Sequence, residues 1–478
     1  MDLHFDTTQT FVGGRWAATA RRLALVDPST GEPLARIARC GPAEVDAAVA
    51  AAQAALAGEW GRLTATERGR LLMKMSALVA EQAETLARLE ARDVGKPLKQ
   101  GRADALALAR YLEFYGGAAD KVHGETLPFA HGYAAMTWRE PHGVTAHIVP
   151  WNYPMQIIGR SVGAALAMGN ACVLKPAEQA CLTAIAFTHI AMAAGLPPGA
   201  LNLVPGLGEE AGAALAAHPG VQHISFTGSV AVGQAIQAAA ARHTVPVTLE
   251  LGGKSPQIVF DDADLEAAMP FLVNAGIQNA GQTCSTASRI LVQRGVYDAV
   301  AARMAERYRA LRVGPALDDP DVGPVISEQQ RGTVLGYLAL ASLDGAQVLA
   351  QAAVPEGPGY WVAPTLIGGV HGAHRLAQEE IFGPVQVLIP FDDEAQAIAI
   401  ANGTDYGLVA GVWTRDGSRA LRCARRLQCG QVFINNYGAG GGVELPFGGV
   451  KRSGHGREKG FEALYGFSTL KTVAIKHD

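Results

Sequence analysis

The sequence predicts an α/β fold with two domains, each built on a parallel β-sheet. Two observations carry this prediction: short apolar runs of strand type alternate with helical segments, and the alternation resumes later in the chain. The first set of predicted strands lies at 144–149, 171–174, 201–204, 224–226 and 247–251. The helical segments between them lie at 161–168, 182–194 and 209–217. Strand, helix, strand at this spacing indicates a parallel sheet with right-handed crossovers.

The second alternation begins after residue 285 and predicts the second α/β domain. Its predicted strands lie at 289–293, 385–391 and 431–435, and its predicted helices at 296–311 and from 393 onward. The tail at 463–476 has the pattern of an extended edge segment. Exposed edges of this kind pair readily with other chains.

Helices precede the first predicted sheet. An alanine-rich helix is predicted between Gly41 and Gly58, with Pro42 at its start. Thr64 and Glu67 have the spacing of a capping box ahead of one long amphipathic helix at 68–92. A further helix is predicted at 103–115.

Composition excludes several classes of protein. The formal net charge of −4 gives no basic surface for nucleic acid or an anionic membrane. We find no apolar run long enough to span a bilayer and no secretory signal. The six cysteines are scattered without a C-x-x-C pair, and the thirteen histidines form no ligand-like group, so no metal site is predicted. A cytoplasmic location is therefore expected.

Unusual residues follow the predicted strands, where parallel sheets bind ligands. One segment is TLELGGKSP at 248–256, and another is NAGQTCS at 279–285. With these motifs, in this order, the chain resembles the aldehyde dehydrogenase superfamily over essentially its whole length. The resemblance implies NAD(P)-dependent, hydrolytic oxidation of an aldehyde, with Cys284 as the nucleophile and Glu250 as the base.

The chemistry of aldehyde oxidation suits these residue types. A thiolate is strongly nucleophilic near neutral pH, and it forms a thiohemiacetal that becomes a thioester when hydride leaves. A carboxylate can then take the proton of the hydrolysing water. Taken alone, a cysteine is more often a core residue and a glutamate a solvated charge. Two rival functions remain: a CoA-acylating semialdehyde dehydrogenase, whose members generally lack the glutamate, and a catalytically silent NAD-binding relative.

The segment VPWNYP at 149–154 follows the first strand of the sheet. By resemblance, the Asn152 amide and the backbone N–H of Cys284 form an oxyanion hole. Trp151 is assigned to the cofactor site and Tyr153 to the substrate site. The alternative is a rigid turn bracketed by prolines, with a packed tryptophan.

Three further segments are assigned to the cofactor by the resemblance. Lys175 and Glu178 are expected to bind the adenosine ribose hydroxyls, and the carboxylate favours NAD over NADP, with NADP as an alternative. Glu380 is expected to bind the nicotinamide ribose, with Phe382 beside the nicotinamide. The third segment, FTGSVAVG at 226–233, is expected to meet the pyrophosphate through Gly228 and Ser229, with Gly233 completing the glycine spacing.

Two other glycine-rich segments carry no catalytic assignment. The glycines at 206, 208 and 212 nearly fit a dinucleotide fingerprint but are interpreted as a loop and a helix start. The segment PFGGVKRSG at 446–454, followed by GRE at 456–458, also matches the family and is expected to anchor the C-terminal segment.

Arg160 suggests that the substrate is a semialdehyde or polar aldehyde, with an acidic or polar group remote from the carbonyl. In succinate-semialdehyde dehydrogenases, an arginine at the position it occupies grips the substrate carboxylate, a role that suits a bidentate contact. Those enzymes also carry a basic residue six places before the nucleophile, where this chain has Gln278. The alternative is an arginine paired with a nearby carboxylate.

The resemblance also implies a division of the chain. An NAD-binding, Rossmann-like domain is predicted at 1–121 and 142–251, and a catalytic domain at 252–464. An oligomerisation element of β-structure is predicted at 122–141 and 465–478. The expected partners are a small-molecule aldehyde and further copies of the chain, as a homodimer or homotetramer.

Overall fold

The structure is a computed structural model that describes residues 5–343, 345–438 and 442–478. Its strands, in chain order, are β1 (Gln9–Val12), β2 (Arg15–Ala18), β3 (Arg22–Val26), β4 (Pro33–Ala38), β5 (Thr126–Leu127), β6 (Tyr133–Pro141), β7 (Val144–Ile148), β8 (Ala171–Lys175), β9 (Leu201–Leu203), β10 (His223–Thr227), β11 (Val247–Glu250), β12 (Pro256–Val259), β13 (Arg289–Gln293), β14 (Gln347–Gln351), β15 (Thr365–Gly368), β16 (Val385–Phe391), β17 (Tyr406–Gly407), β18 (Val409–Trp413), β19 (Gln431–Ile434), β20 (Val450–Lys451), β21 (Gly454–His455) and β22 (Ser468–Lys476).

The α-helices are α1 (Pro42–Ala57), α2 (Glu59–Arg62), α3 (Ala65–Glu81), α4 (Ala83–Val94), α5 (Leu98–Ala118), α6 (Pro154–Ala167), α7 (Leu182–Ala194), α8 (Ala213–Ala216), α9 (Val230–Ala241), α10 (Leu265–Ile277), α11 (Tyr297–Arg309), α12 (Glu328–Leu343), α13 (Arg375–Gln378), α14 (Glu394–Asn402), α15 (Gly417–Arg426) and α16 (Gly460–Gly466). Short 3-10 or π turns occur at Ala119–Lys121, Gly208–Gly212, Gln278–Gly281, Arg294–Val296 and Ala316–Asp318.

The larger sheet has eight strands in the order β2-β1-β9-β8-β7-β10-β11-β21. The five central strands are parallel and correspond to the five predicted apolar runs, so these strands are confirmed. The chain winds outward from β7 through β8 to β9, and then returns to β10 on the other side of β7. This reversal creates a switch point between β7 and β10, where the carboxyl ends of the strands leave a crevice for a ligand.

The second sheet has seven strands in the order β14-β15-β16-β13-β12-β18-β19. All are parallel to their neighbours except β14, which pairs antiparallel with β15. The predicted strands at 289–293, 385–391 and 431–435 are confirmed as β13, β16 and β19. The second α/β unit is therefore confirmed, and each sheet packs in its own hydrophobic core.

A third sheet, in the order β22-β6-β5, carries the end of the chain. All nine residues of β22 pair antiparallel with β6, so β22 is an edge strand as predicted. The prediction of extended structure from residue 463 is wrong at its start, because residues up to Gly466 form α16. Ala463 and Leu464 are buried there in the larger core, and this packing stabilises the helical turn.

Several predicted helices have different bounds in the structure, including the helix at 103–115, which is α5 (Leu98–Ala118). The single helix at 68–92 is wrong: it divides into α3 and α4 at the buried Gln82, although the capping box of Thr64 and Glu67 is present. The helix at 161–168 begins earlier, at Pro154, where proline suits the first helical position. Arg160 is therefore carried on the same helix that follows Asn152.

Segments far apart in sequence join the larger sheet. β21 pairs with β11, which sets Gly454 opposite Glu250.

The division into domains stays a prediction, and residues 1–4, 344 and 439–441 of the predicted domains lie outside the described residues. Within the described ranges, no helix is long and apolar enough to cross a membrane.

Candidate active site

The loop that carries Cys284 has an unusual backbone. Asn279, Ala280 and Gly281 follow one another with positive φ angles of 49°, 52° and 71°. Alanine rarely adopts this left-handed conformation, and surrounding contacts must hold it there. A Cβ atom on Gly281 would lie 2.0 Å from the Gly383 carbonyl oxygen, so only glycine fits this close approach of the two backbone segments. The conformation of this loop is therefore fixed by its surroundings, and it determines the direction in which the backbone enters Cys284.

Two side chains that follow β7 hold this loop. The Asn152 side-chain amide donates to the Gln282 carbonyl at 3.0 Å, and the Tyr153 hydroxyl lies 2.9 Å from the Thr283 hydroxyl. In return, the Asn279 amide donates to the Asn152 carbonyl at 3.0 Å. The structure therefore brings Asn152 and the nucleophile loop together, as the motifs predicted. The role of Asn152 as a donor to substrate stays a prediction.

Cys284 is partly exposed and packs beside Leu408 and Phe447. Its carbonyl oxygen lies against Gly253, where a Cβ atom would come within 2.4 Å. Burial raises the pKa of the Cys284 thiol to about 12, and the Arg160 guanidinium opposes this shift. Burial thus disfavours the Cys284 thiolate, and the positive charge of Arg160 favours it.

Glu250 ends β11 and is buried, with 2% of its surface exposed. Among the described residues, neither of its carboxylate oxygens has a hydrogen-bond partner. A Cβ atom on Gly448 would lie 2.8 Å from Glu250 Oε1, so a glycine leaves room for this carboxylate. Burial raises the pKa of Glu250 well above its usual value, and the charge of Glu458 raises it further. A carboxylate with a raised pKa is a stronger base than an exposed one, which suits it to taking a proton from water.

Arg160 lies on α6 and forms an ion pair with Glu458. Both side chains are buried, and the Ser225 hydroxyl donates to the other oxygen of Glu458 at 3.2 Å. The Arg160 guanidinium also lies 5.0 Å from the centre of the Phe447 ring. This is the arrangement expected of the alternative, in which the arginine is paired with a protein carboxylate. Its substrate role stays a prediction.

Sequence reasoning missed Glu458 as part of this site. The segment at 446–458 was interpreted as a structural anchor, and β21 does pair with β11. The same segment also carries Phe447, Gly448 and Glu458 into the site. The available signal was the match of GRE at 456–458 to the family. Spacing along the chain could not identify the partner of Glu458, because Arg160 lies almost three hundred residues earlier.

A pocket of about 640 Å³ opens beside the nucleophile loop. Thr283 and Ser285, which flank Cys284, both line it, as do Gln156 of α6 and Tyr437 after β19. The pocket therefore lies next to Cys284 along the chain, although Cys284 is not among its described lining residues. Arg160 is not among the described residues that line it.

Residues assigned to the nicotinamide end of the cofactor also come together. The rings of Trp151 and Phe382 meet edge to face with 5.4 Å between their centres, although they belong to different sheets. Glu380 accepts a hydrogen bond from the Gly253 N–H at 3.0 Å. A Cβ atom on Gly252 would lie 2.0 Å from this carboxylate, so the glycine pair makes its cradle. Burial raises the pKa of Glu380 to about 7.

Residues assigned to the adenosine end follow β8 and β10, the two strands that flank β7. Lys175 at the end of β8 forms an ion pair with Glu178 at 3.0 Å. Ser229 caps α9 by accepting from the Val232 N–H at 3.4 Å. The Gly228 N–H already donates to the Glu250 carbonyl at 3.0 Å, so it links the turn predicted to bind the pyrophosphate to the end of β11.

The remaining glycine segment agrees with its interpretation. Residues 204–207 form a loop, and a helical turn begins at Gly208. In the part of the chain that the structure describes, no group of three or more histidine, cysteine or acidic side chains is arranged to hold a metal.

Comparison with known proteins gives consistent matches over the full chain. The model of the aldehyde dehydrogenase family matches residues 16–473. A betaine aldehyde dehydrogenase from Cereibacter sphaeroides is 43% identical, over 97% of this chain and 96% of that protein. A hydroxyisobutyraldehyde dehydrogenase from Mycolicibacterium austroafricanum is 41% identical, over 97% of this chain and 93% of that protein.

Solved structures match equally well. A crystal structure from Burkholderia cenocepacia is 61% identical, with a TM-score of 0.97 over 98% of this chain and 100% of that chain. The NAD+ complex of an aldehyde dehydrogenase from Bacillus cereus is 37% identical, with a TM-score of 0.97 over 98% of this chain and 97% of that chain.

Proposed function

Because the chain belongs to the aldehyde dehydrogenase family, we propose that it oxidises an aldehyde to a carboxylic acid with NAD as the hydride acceptor, through a covalent adduct on Cys284. The observation that carries this mechanism is the state of Glu250. It is a buried carboxylate, electrostatically coupled to Cys284, with no hydrogen-bond partner for either oxygen among the described residues. Buried polar atoms are almost always paired, and an exception beside a nucleophile indicates a place kept for a reactant.

In the first half of the reaction, the Cys284 thiol gives its proton to solvent water, and the resulting thiolate attacks the carbonyl carbon and forms a thiohemiacetal. The negative charge that develops on the substrate oxygen is stabilised by the Asn152 amide and the Cys284 backbone N–H. One such donor is commonly worth about 3–4 kcal/mol in the transition state. NAD, when bound, supplies the acceptor for the hydride that leaves the adduct as it becomes a thioester.

In the second half, water hydrolyses the thioester. Glu250 takes a proton from the water as its oxygen attacks the thioester carbon. The carbon–sulfur bond then breaks, which releases the acid and frees the Cys284 sulfur. The free oxygens of Glu250 give this water its binding place.

The residues present fit a dinucleotide. Trp151 and Phe382 flank the nicotinamide position, and Glu380 in its glycine cradle binds the adjoining ribose. Lys175 and Glu178 bind the adenosine ribose, while Ser229 at the N-terminus of α9 meets the pyrophosphate. The Glu178 carboxylate would repel a 2′-phosphate, which supports NAD as the preferred cofactor and NADP as the lesser one.

The test is NADH formation by the purified protein with a panel of aldehydes, comparing wild type with Cys284→Ala. We expect turnover by the wild type, and a loss of about 10⁴-fold or more in the variant because the nucleophile is gone. Cys423→Ala, which removes a buried thiol remote from this site, is the matched control and should keep its activity. NAD binding without turnover, or turnover that requires CoA, would contradict the proposal.

Assembly and location follow as proposals of the same kind. In the β6–β22 sheet, Trp138 and Ile475 share one face, with 48% and 50% of their surfaces accessible, and Leu470, 58% accessible, lies on the opposite face. An apolar sheet face of this kind is typical of an interface, which supports a homodimer or homotetramer. All six cysteines are free thiols, as expected in the reducing cytoplasm.

A further inference from the structure

The pocket beside Cys284 has charged side chains, but each is paired with another protein group. Lys99 at its mouth lies 3.6 Å from Asp321, and both line the pocket. Asp104, deeper in the pocket wall, accepts from the Lys96 ammonium at 2.5 Å. An ionic group of a substrate therefore meets no unpaired opposite charge among the described lining residues.

Lys96 shows how Asp104 is neutralised. The ammonium is buried between Asp104 and Glu90, which it contacts at 2.8 Å, and it lies 4.0 Å from the centre of the Tyr153 ring. Burial raises the pKa of Glu90, and the charge of Lys96 opposes this shift. The Asp104 carboxyl is therefore paired with a buried protein cation and is not left free for a charged group of the substrate.

Uncharged hydrogen-bonding groups in the pocket are, by contrast, available. Gln278 and Asn274 are exposed, and within the described ranges their side chains make no hydrogen bond. The Gln156 amide nitrogen donates to Asp104 at 2.5 Å, which leaves its carbonyl oxygen as an acceptor. A hydroxyl or amide on the substrate can both donate to and accept from such groups.

The aromatic content of the pocket argues against a quaternary ammonium substrate. Among its described lining residues only Phe271 and Tyr437 are aromatic. The Tyr437 hydroxyl donates to the Ser285 carbonyl at 2.5 Å, which holds this ring beside the nucleophile loop. Quaternary ammonium groups are usually bound by a cage of aromatic faces, and two rings do not enclose one.

We propose that the pocket selects a neutral aldehyde that carries a hydroxyl or amide group, and that Gln278 is a residue that determines this specificity. The inference rests on the proposed function and adds the class of substrate to it. Carboxylate-bearing aldehydes are disfavoured because the nearby arginine, Arg160, is already paired with Glu458 outside the pocket lining. Burying an unpaired charge costs far more than a neutral hydrogen bond contributes.

The test compares kcat/KM for four aldehydes of similar length, with NAD and the full-length protein. They are butanal, 3-hydroxybutanal, succinic semialdehyde and 4-(trimethylammonio)butanal. We expect 3-hydroxybutanal to be preferred over butanal by roughly five- to tenfold, the ratio that one neutral hydrogen bond provides. The two charged aldehydes should be poorer than butanal.

Gln278→Leu removes the amide, and it should reduce the ratio of kcat/KM for 3-hydroxybutanal to that for butanal to about one. Gln329→Leu makes the same chemical change at an exposed position on α12 away from the pocket, and it should keep the wild-type ratio. A loss of kcat/KM that is larger for 3-hydroxybutanal than for butanal indicates lost recognition of the hydroxyl, because a folding defect would lower both values equally.

Three outcomes overturn the inference. A wild-type preference for succinic semialdehyde would assign the substrate to Arg160, and a preference for the ammonium aldehyde would assign it to the aromatic residues. An unchanged ratio in Gln278→Leu would remove Gln278 as the determinant. All three leave the dehydrogenase activity intact, whereas absence of NADH with every aldehyde would contradict the proposed function itself.

Discussion

Two buried carboxylates lie close together in this protein, at the end of β11 and in the segment after β21, and they differ in one respect. Glu458 accepts from Ser225 with one oxygen and contacts Arg160 with the other. Glu250 has no hydrogen-bond partner for either oxygen among the described residues. Both are 2% exposed or less. Leaving a buried polar group unpaired costs on the order of 1–3 kcal/mol of folding stability. The unpaired carboxylate of Glu250 is therefore consistent with a binding place for water, and the paired carboxylate of Glu458 with a structural role.

The sharpest way to test this difference is Glu250→Gln, for which we expect the largest effect. The amide cannot take a proton, so hydrolysis of the thioester should slow by about 10²–10⁴-fold. Thiohemiacetal and thioester formation should persist. Rapid-mixing measurements should therefore show a burst of about one NADH per active site, followed by slow turnover. A variant with full steady-state turnover would show that another group activates the water.

Glu458→Gln tests the other carboxylate. Arg160 would be left buried without its counter-charge, and breaking a buried ion pair in this way typically costs about 3–5 kcal/mol. Urea unfolding should show this loss of free energy. The matched control is Glu444→Gln, because Glu444 pairs with Arg110 at an exposed position, with 55% and 48% of the two side chains accessible. There the expected loss is about 0–1 kcal/mol. Equal losses would contradict the distinction.

The two carboxylates are also coupled, which gives a pH prediction. Glu250 is active as a base only when it is deprotonated, and its pKa is raised by burial and by Glu458. Turnover limited by hydrolysis should therefore fall as pH falls through this raised pKa, above the usual range of a glutamate. Removing the charge of Glu458 lowers the pKa of Glu250, so in Glu458→Gln the acid limb of the kcat profile should move to lower pH. An unmoved limb would mean that Glu250 does not control it.

The smallest expected effect concerns a carboxylate outside this pair. Glu178 is partly exposed and pairs with Lys175. Glu178→Ala should weaken NAD binding severalfold. Hydrogen bonds to a charged group are worth about 1.5–3 kcal/mol, but at this partly exposed site water replaces part of that energy, so the net loss is smaller. It should also raise the ratio of NADP to NAD turnover, because the repulsion of a 2′-phosphate is removed. Steady-state kinetics with both cofactors measures this, and an unchanged ratio would assign cofactor choice elsewhere.

The strands of both sheets could be predicted because their signal is local. The run at 247–251 is apolar, ends in a turn, and emerges as β11 buried on both faces. The same holds for 289–293 and 385–391, whose predicted bounds match β13 and β16. Buried parallel strands are continuous apolar segments, so their bounds follow from the sequence with little help from neighbours.

Elements whose bounds depend on distant packing were predicted less well. The periodicity at 68–92 continues through Gln82, where the chain turns because α3 and α4 each pack on α5. The tail was expected to be extended from 463, but burial of Ala463 and Leu464 makes its first turn helical. In both cases tertiary contacts override a local pattern that is compatible with either structure.

For the site, the sequence by itself determined which groups are predicted to react, because a candidate nucleophilic cysteine and a candidate basic glutamate are recognised by residue type within ordered motifs. Only the tertiary structure decided their surroundings. It brought Asn152 to the loop of Cys284, placed Phe382 against Trp151, and paired Arg160 with Glu458. These contacts join residues separated by more than a hundred positions. Pairing and desolvation depend on distance in space, which spacing along the chain does not encode.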